Sequence, residues 1–215
     1  MDYNQKICIY LGLLILLSSK LVIAGPPFVT DDPEPVAEHS WEVNYALSSI
    51  KASNDVSAAI PSIDINYGLS ENIQLHAQPR YSNKRDGSNR NFGFDNTEIG
   101  VKYRFMHQKQ SNSEKMLGIY PMLQLPTGSR KFGDASGKTQ LFLPIWAQIN
   151  SDKWTLYGGG GYRLNNFKDS KNSWFVGITM LYEVTNKLKL GAEIFHETQT
   201  AQDQTNTSGF NLGGT

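Results

Sequence analysis

From Trp41 onward the chain repeats one pattern, stretches of roughly ten residues in which every second side chain is apolar, each closed by Gly, Asn, Asp, Ser or Lys. Ile73, Leu75, Ala77, Pro79 and Tyr81 share one face, and Gln74, His76, Gln78 and Arg80 the other. Ile99, Val101, Tyr103 and Phe105 then oppose Glu98, Gly100, Lys102 and Arg104. The same alternation runs through Ile63 to Tyr67, Leu117 to Leu125, Leu141 to Ile149 and Leu188 to Ile194. A period of two belongs to β-strands, whose successive side chains point to opposite faces. The spacing predicts nine strands, with a tenth beginning near Ser208.

A soluble sandwich alternates too, so periodicity alone does not say which face meets water. The polar face carries Glu42, Asp64, His76, Arg80, Glu98, Lys102, Arg104, Arg163, Glu183, Lys189, Glu193 and Glu197. Such a face suits the wet lumen of a membrane barrel, whose outside is apolar. On the apolar face Trp154 and Tyr162, and Trp174 and Tyr182, stand eight positions apart. At about 3.3 Å per residue and a tilt near 40°, that is roughly 20 Å along the membrane normal, close to the spacing of two aromatic girdles. Connections also alternate. Those after Tyr67, Asn150 and Val184 are short, whereas Ser82–Gly93, Pro126–Lys138, Asn165–Lys171 and Thr200–Thr207 are long and polar. Short periplasmic turns and long outer loops follow one another in outer-membrane barrels. His107–Lys115 breaks the rule by being long at the periplasmic end, and Pro79, Pro121 and Pro144 within strands call for local bulges. Gly158–Gly161 marks a bend or a close approach from the lumen. The expected fold is therefore all-β, a transmembrane antiparallel up-and-down barrel of the outer membrane.

Composition agrees. Nineteen glycines, ten tyrosines and ten phenylalanines favour strands and turns. Lys+Arg and Asp+Glu both number 20, which leaves no charge excess to draw the chain to nucleic acid. The start differs: Lys6, then the apolar run Ile7–Leu17, then Val22, Ile23 and Ala24 before Gly25. This is the layout of a signal peptide over residues 1–24, cleaved after Ala24, and export implies outer-membrane lipid as the barrel's surroundings. The only cysteine, Cys8, lies within it, so the mature chain has no thiol nucleophile. Residues 25–40 read as a proline-rich acidic segment in the periplasm or lumen, and residues 41–215 as the barrel.

Chemical motifs are few. Gly133–Thr139 is similar to a phosphate-binding loop but has one residue too few between its glycines and leads into a strand, so no helix N-terminus is there to hold phosphate. His39, His76, His107 and His196 form no close pair and have no cysteine partner, which leaves a metal site without support; no cofactor or catalytic residue is assigned. A Ser/His pair meeting at the barrel rim is the one enzymatic alternative. The acidic stretch Asp31–Glu38 lacks calcium-ligand spacing and reads as a segment that resists regular structure. Candidate lumen-lining residues are Asp64, His76, Arg80, Glu98, Lys102, Arg104, Arg163, Glu183, Lys189 and Glu193. Arg80 is expected to face Glu98 across a hairpin, and Lys102 and Arg104 to meet Asp64 or Glu193. Such pairs either fill the lumen or guide solute.

The mature start, Gly25-Pro26-Pro27-Phe28-Val29-Thr30-Asp31-Asp32-Pro33-Glu34-Pro35, leads after a short gap to His39-Ser40-Trp41-Glu42. It resembles the opening of the bacterial outer-membrane family named after the meta-pathway of phenol degradation, and Leu125-Pro126-Thr127-Gly128 is similar to that family as well. The resemblance implies a barrel of about a dozen strands with a transporter role in uptake of small, hydrophobic or aromatic compounds, and no catalytic residues. It does not name the solute. Besides a passive channel, the residues allow a closed structural barrel with an ion-paired lumen or, less readily, a membrane-embedded hydrolase. Ser208–Thr215 is shorter than the roughly nine to eleven residues of a spanning strand, so the expectation is ten strands of a twelve-strand barrel whose C-terminal part is missing.

Overall fold

A computed structural model describes residues 28–52, 55–86, 89–129, 138–166, 170–201 and 205–214. Residues 1–24, with Cys8 and the expected cleavage site, and Gly133–Gly137 of the loop motif lie outside them. The described residues form one antiparallel sheet of thirteen strands: β1 (Trp41–Ala52), β2 (Asp55–Ser70), β3 (Ile73–Gln78), β4 (Arg80–Asp86), β5 (Asn89–Phe94), β6 (Thr97–Lys109), β7 (Ser113–Ile119), β8 (Met122–Leu125), β9 (Gln140–Ser151), β10 (Trp154–Asn165), β11 (Ser173–Thr185), β12 (Leu188–Glu197) and β13 (Thr207–Gly214).

Three interruptions reduce these thirteen pieces to the ten passes expected from the sequence. β3 and β4 are one pass broken at Pro79, and β5 and β6 one pass broken at Asp95–Asn96. β7 and β8 are one pass broken at Tyr120–Pro121. The pairings confirm the grouping: β2 pairs with both β3 and β4, β6 with both β7 and β8, and β9 with both β7 and β8. Proline cannot donate to the ladder, so two of the breaks fall at prolines. Pro144 leaves β9 whole because it lies opposite the Tyr120–Pro121 break, where its carbonyl still accepts from Tyr120 N at 3.3 Å. Gly159 and Gly161 lie under the Trp146 and Phe142 rings, the close approach expected of the glycine run.

Two connections correct the sequence reading. Strand pairing continues to Lys109↔Glu114, so the link after β6 is a short turn of residues 110–112 and no longer an exception to the alternation. Ser82–Gly93, expected as a long loop, is instead mostly a paired hairpin, with Tyr81↔Phe94 through Asp86↔Asn89 in register. At the edges, β1 pairs with β2 alone and β13 with β12 alone among the described residues.

Alternation sorts the side chains as it should. Ile99, Val101, Tyr103, Phe105, Ile145, Ile149, Leu156, Val176, Ile178, Met180, Leu190 and Ile194 are exposed large apolar residues, while Lys102, Arg104, Gln148 and Glu193 are buried. A soluble domain does not present a continuous apolar exterior over buried charges; a lipid-facing barrel wall does. Aromatic contacts mark both ends of this band. Trp41 lies 4.6 Å from Tyr67, and Trp154 4.6 Å from Tyr182, at the short-turn end. Tyr162 with Trp174 at 4.7 Å and Tyr81 with Phe94 at 5.4 Å mark the other. Inside, Tyr120, Phe142, Trp146 and Phe175 pack together with Met122 and Phe195.

Candidate functional site

The lumen is occupied by the chain's own acidic segment. Residues 28–40 contain no strand or helix, as Pro33 and Pro35 dictate. The root is held by backbone bonds: His39 N donates to Gly68 O at 2.8 Å, Gly68 N to Ser40 O at 3.0 Å and Ser40 N to Ala37 O at 3.0 Å. Beyond the root, side chains do the holding. Val36 N donates to Gln74 Oε1 at 2.8 Å, and Gln148 Nε2 donates to Glu34 Oε2 at 2.9 Å. Lys102 Nζ reaches Asp31 Oδ1 at 3.0 Å, Asp32 Oδ1 at 3.5 Å and Glu34 O at 3.4 Å. Val29 N and Thr30 N both donate to the Glu193 carboxylate. One short segment thus touches β3, β6, β9 and β12, which is possible only because the sheet curls around it. The fit is close: a Cβ on Gly68 would overlap the Val36 and Ala37 carbonyls, and one on Gly177 the Thr30 hydroxyl.

A second polar cluster adjoins it. His76 Nδ1 lies 2.9 Å from Asp64 Oδ1 and 3.1 Å from Asn66 Oδ1, and His76 Nε2 lies 3.6 Å from Glu98 Oε1. Asn66 also accepts from Gln74 Nε2 at 2.8 Å, so the cluster is joined to the segment through Gln74. The Tyr120 ring stands edge-on to His76 at 5.7 Å and beneath Lys102 Nζ at 5.0 Å.

The anticipated partners are partly wrong. Lys102 meets neither Asp64 nor Glu193 but Asp31 and Asp32 of the segment. Arg104 turns to the short β2–β3 turn, donating to Asn72 Oδ1 at 3.1 Å and Glu71 O at 2.8 Å, with Met116 Sδ at 3.5 Å. Arg80 Nε donates to Gln78 Oε1 at 2.9 Å and acts on Glu98 through its charge, as expected across the hairpin, while Glu98 also approaches His76 at 3.6 Å. Arg163 pairs with Glu197 at 3.2 Å and lies 4.5 Å over the Phe142 ring. Glu183 and Lys189 face each other in the β11–β12 register, both half-buried. Glu193 is 1% exposed and accepts from Asn211 Nδ2 at 2.6 Å as well as from the segment. Gln74, Asn66 and Gln148 also belong to the site; the alternation puts them on its polar side, but as neutral amides they carry no charge to single them out. Asp31 and Asp32 carried no periodic signal at all.

Two cavities flank the segment. One of about 700 Å³ includes Asp32, Glu42, Asn44, Asn150, Thr155 and Lys189. The other, about 350 Å³, includes Gln78, Arg80, Glu98, Gln124, Gln140 and Arg163 toward the long loops. They share Val29, Asp31, Asp64 and Tyr120, so the segment and its neighbours stand between them. Burial pushes the Asp32 carboxyl up to about 6, against the pull of Lys102 and with the repulsion of Asp31 adding to the rise. A further hollow of about 620 Å³ lies outside the lumen, on the lipid-facing side of β9–β12, lined by Ile149, Leu156, Val176, Ile178, Ile194 and His196. At its margin His196 Nδ1 meets Ser208 Oγ at 2.7 Å. Among the described residues no carboxylate bonds the other imidazole nitrogen, so this pair lacks the third group that orients a catalytic base. No three His, Cys, Asp or Glu side chains among the described residues converge as a metal site requires.

The family model described as MetA-pathway of phenol degradation matches residues 36–215. No curated protein sequence matches the chain. Among solved structures, the outer membrane channel DcaP of Acinetobacter baumannii is similar at a TM-score of 0.37 and 10% identity, over 91% of this chain and 68% of that one.

Proposed function

The chain belongs to the family described as MetA-pathway of phenol degradation, and from the geometry of its lumen we propose that it is an outer-membrane channel for passive uptake of small compounds. The observation that carries this reading is the pair of polar cavities meeting at Asp31, Asp64 and Tyr120. A barrel needed only as a scaffold has no use for vestibules lined by ionised groups, whereas charged lumens are how barrels select what passes. Arg80, Arg163 and the amides of Gln78, Gln124 and Gln140 bind polar substituents, and Tyr120, Phe142 and Trp146 border the same cavity. Aromatic compounds bearing a carboxylate or hydroxyl suit that lining better than bare hydrocarbons do. Liposome swelling with sugars, amino acids and aromatic acids tests the reading: swelling by one class over the others supports it, and none with any class leaves the rival. That rival, a closed structural barrel, is favoured by the segment docked across the lumen.

A further inference from the structure

We propose that residues 28–36 are a displaceable plug, which closes the lumen when docked and lets solute through only after swinging out about residues 37–40. The proposal rests on the channel reading above. Its first support is position, since the two cavities lie on opposite sides of the segment and share Val29 and Asp31 with it. Its second is fit. With the Thr30 hydroxyl where even a methyl on Gly177 would sit, and Pro33 fully buried, solute and docked segment cannot occupy the same level.

The third support is the way the segment is fastened. Its root pairs backbone to backbone with Gly68, and His39 at the bend has a φ of 58°, where the chain turns out of line with β1. Beyond that bend most of the fastening involves Gln74, Lys102, Gln148 and Glu193 side chains, whose contacts water replaces when the segment leaves. Root bonds hold in both states, and distal bonds only in one. Lys102 and Glu193 are opposite charges on facing walls, each satisfied by the segment, so docking neutralises Lys102 and bonds Glu193 in one move. Desolvated pairs compete closely with hydrated charges, and that near balance makes a two-state element.

Planar-bilayer recording of the purified protein tests this. Wild type should be mostly closed with brief openings. Asp31→Asn/Glu34→Gln leaves every wall residue intact and should lengthen openings roughly tenfold or more, as loss of charge-assisted bonds requires. The Cβ position of Gly177 lies 3.2 Å from Thr30 Cβ, near the roughly 3.8 Å of a disulfide. An oxidised Thr30→Cys/Gly177→Cys variant should therefore pass no current, and regain openings on reduction. Equal open times in wild type and the double variant, or current through the oxidised lock, overturns the plug and leaves the channel. Silence in wild type, double variant and reduced lock alike overturns both.

Discussion

Along β9, β10 and β11 the inward positions carry Phe142, Trp146, Tyr157 and Phe175, whereas along β2, β3 and β6 they carry Asp64, His76, Glu98, Lys102 and Arg104. The aromatic wall completes itself. Phe142 and Trp146 each meet Phe175 edge-on at 6.2 Å, and no strand there is broken. The ionic wall does not complete itself, because a buried charge must find a partner and, among the described residues, Lys102 finds its carboxylates in the segment. Two of the three strand breaks, at Pro79 and Asp95–Asn96, fall on this side, and the third, in the pass between β6 and β9, seats Tyr120 between His76 and Lys102. One wall thus fills the lumen by packing, the other by recruiting a piece of chain from outside the sheet. Only the second solution is easily undone.

The aromatic wall should show the largest effect. Trp146 is 1% exposed and central to the aromatic cluster, so Trp146→Ala should cost about 3 to 5 kcal/mol of folding stability in lipid. Equilibrium unfolding in urea from vesicles checks it, and a near-neutral result would mean that this wall is not a packed core. The outer faces should show no such asymmetry. Val101 on the ionic wall and Ile178 on the aromatic wall are similarly exposed, and Arg at either should cost about 2 to 4 kcal/mol near the bilayer midplane. Unequal costs would show that the two walls sit at different depths.

This division between walls also marks what the sequence reveals. Ile99 to Phe105 against Glu98 to Arg104 gives strand, face and environment together, because side-chain direction in a strand is set by position alone. Ser82–Gly93 lacks that apolar period, so it reads as loop; the hairpin that most of it forms rests on backbone pairing, which leaves no mark in hydrophobicity. The ten candidate lumen residues were readable as one face, but their partners were not. Thr30 and Glu193 are 163 positions apart, and the alternation that places Glu193 inward is silent about an aperiodic acidic stretch.

On the ionic wall, Lys102→Met should act on the segment before the barrel. It leaves Asp31 and Asp32 without their cation, so docking of the segment should weaken by about 1 to 3 kcal/mol. The barrel itself should lose less than in Trp146→Ala. Hydrogen exchange separates the two effects: the Val29, Thr30 and Val36 amides, which donate to Glu193 and Gln74, should lose protection. The β9–β11 amides should keep theirs. Loss of protection in both places would mean that the walls are not independent.

The smallest effect is that of pH, and it has a definite sign. Asp32 faces Asp31, Glu34 and Lys102, and its carboxyl also accepts from Glu34 N at 2.7 Å. When docked it titrates at about 6, against an ordinary value of 3.8 once released into water. Between those values the docked segment holds a proton that the released one gives up. Docking therefore strengthens as pH falls through 6 toward 4, and weakens as pH rises, by at most about tenfold per pH unit. Amide protection over residues 29–36 and time spent closed should both rise from about pH 7.5 to about pH 5, and Asp32→Asn should flatten the response, because the group that binds the proton is gone. If protection falls on acidification instead, the ion pair with Lys102 outweighs the burial of Asp32. The segment would then be held by charge alone, and the ionic wall would depend on it more heavily than its geometry implies.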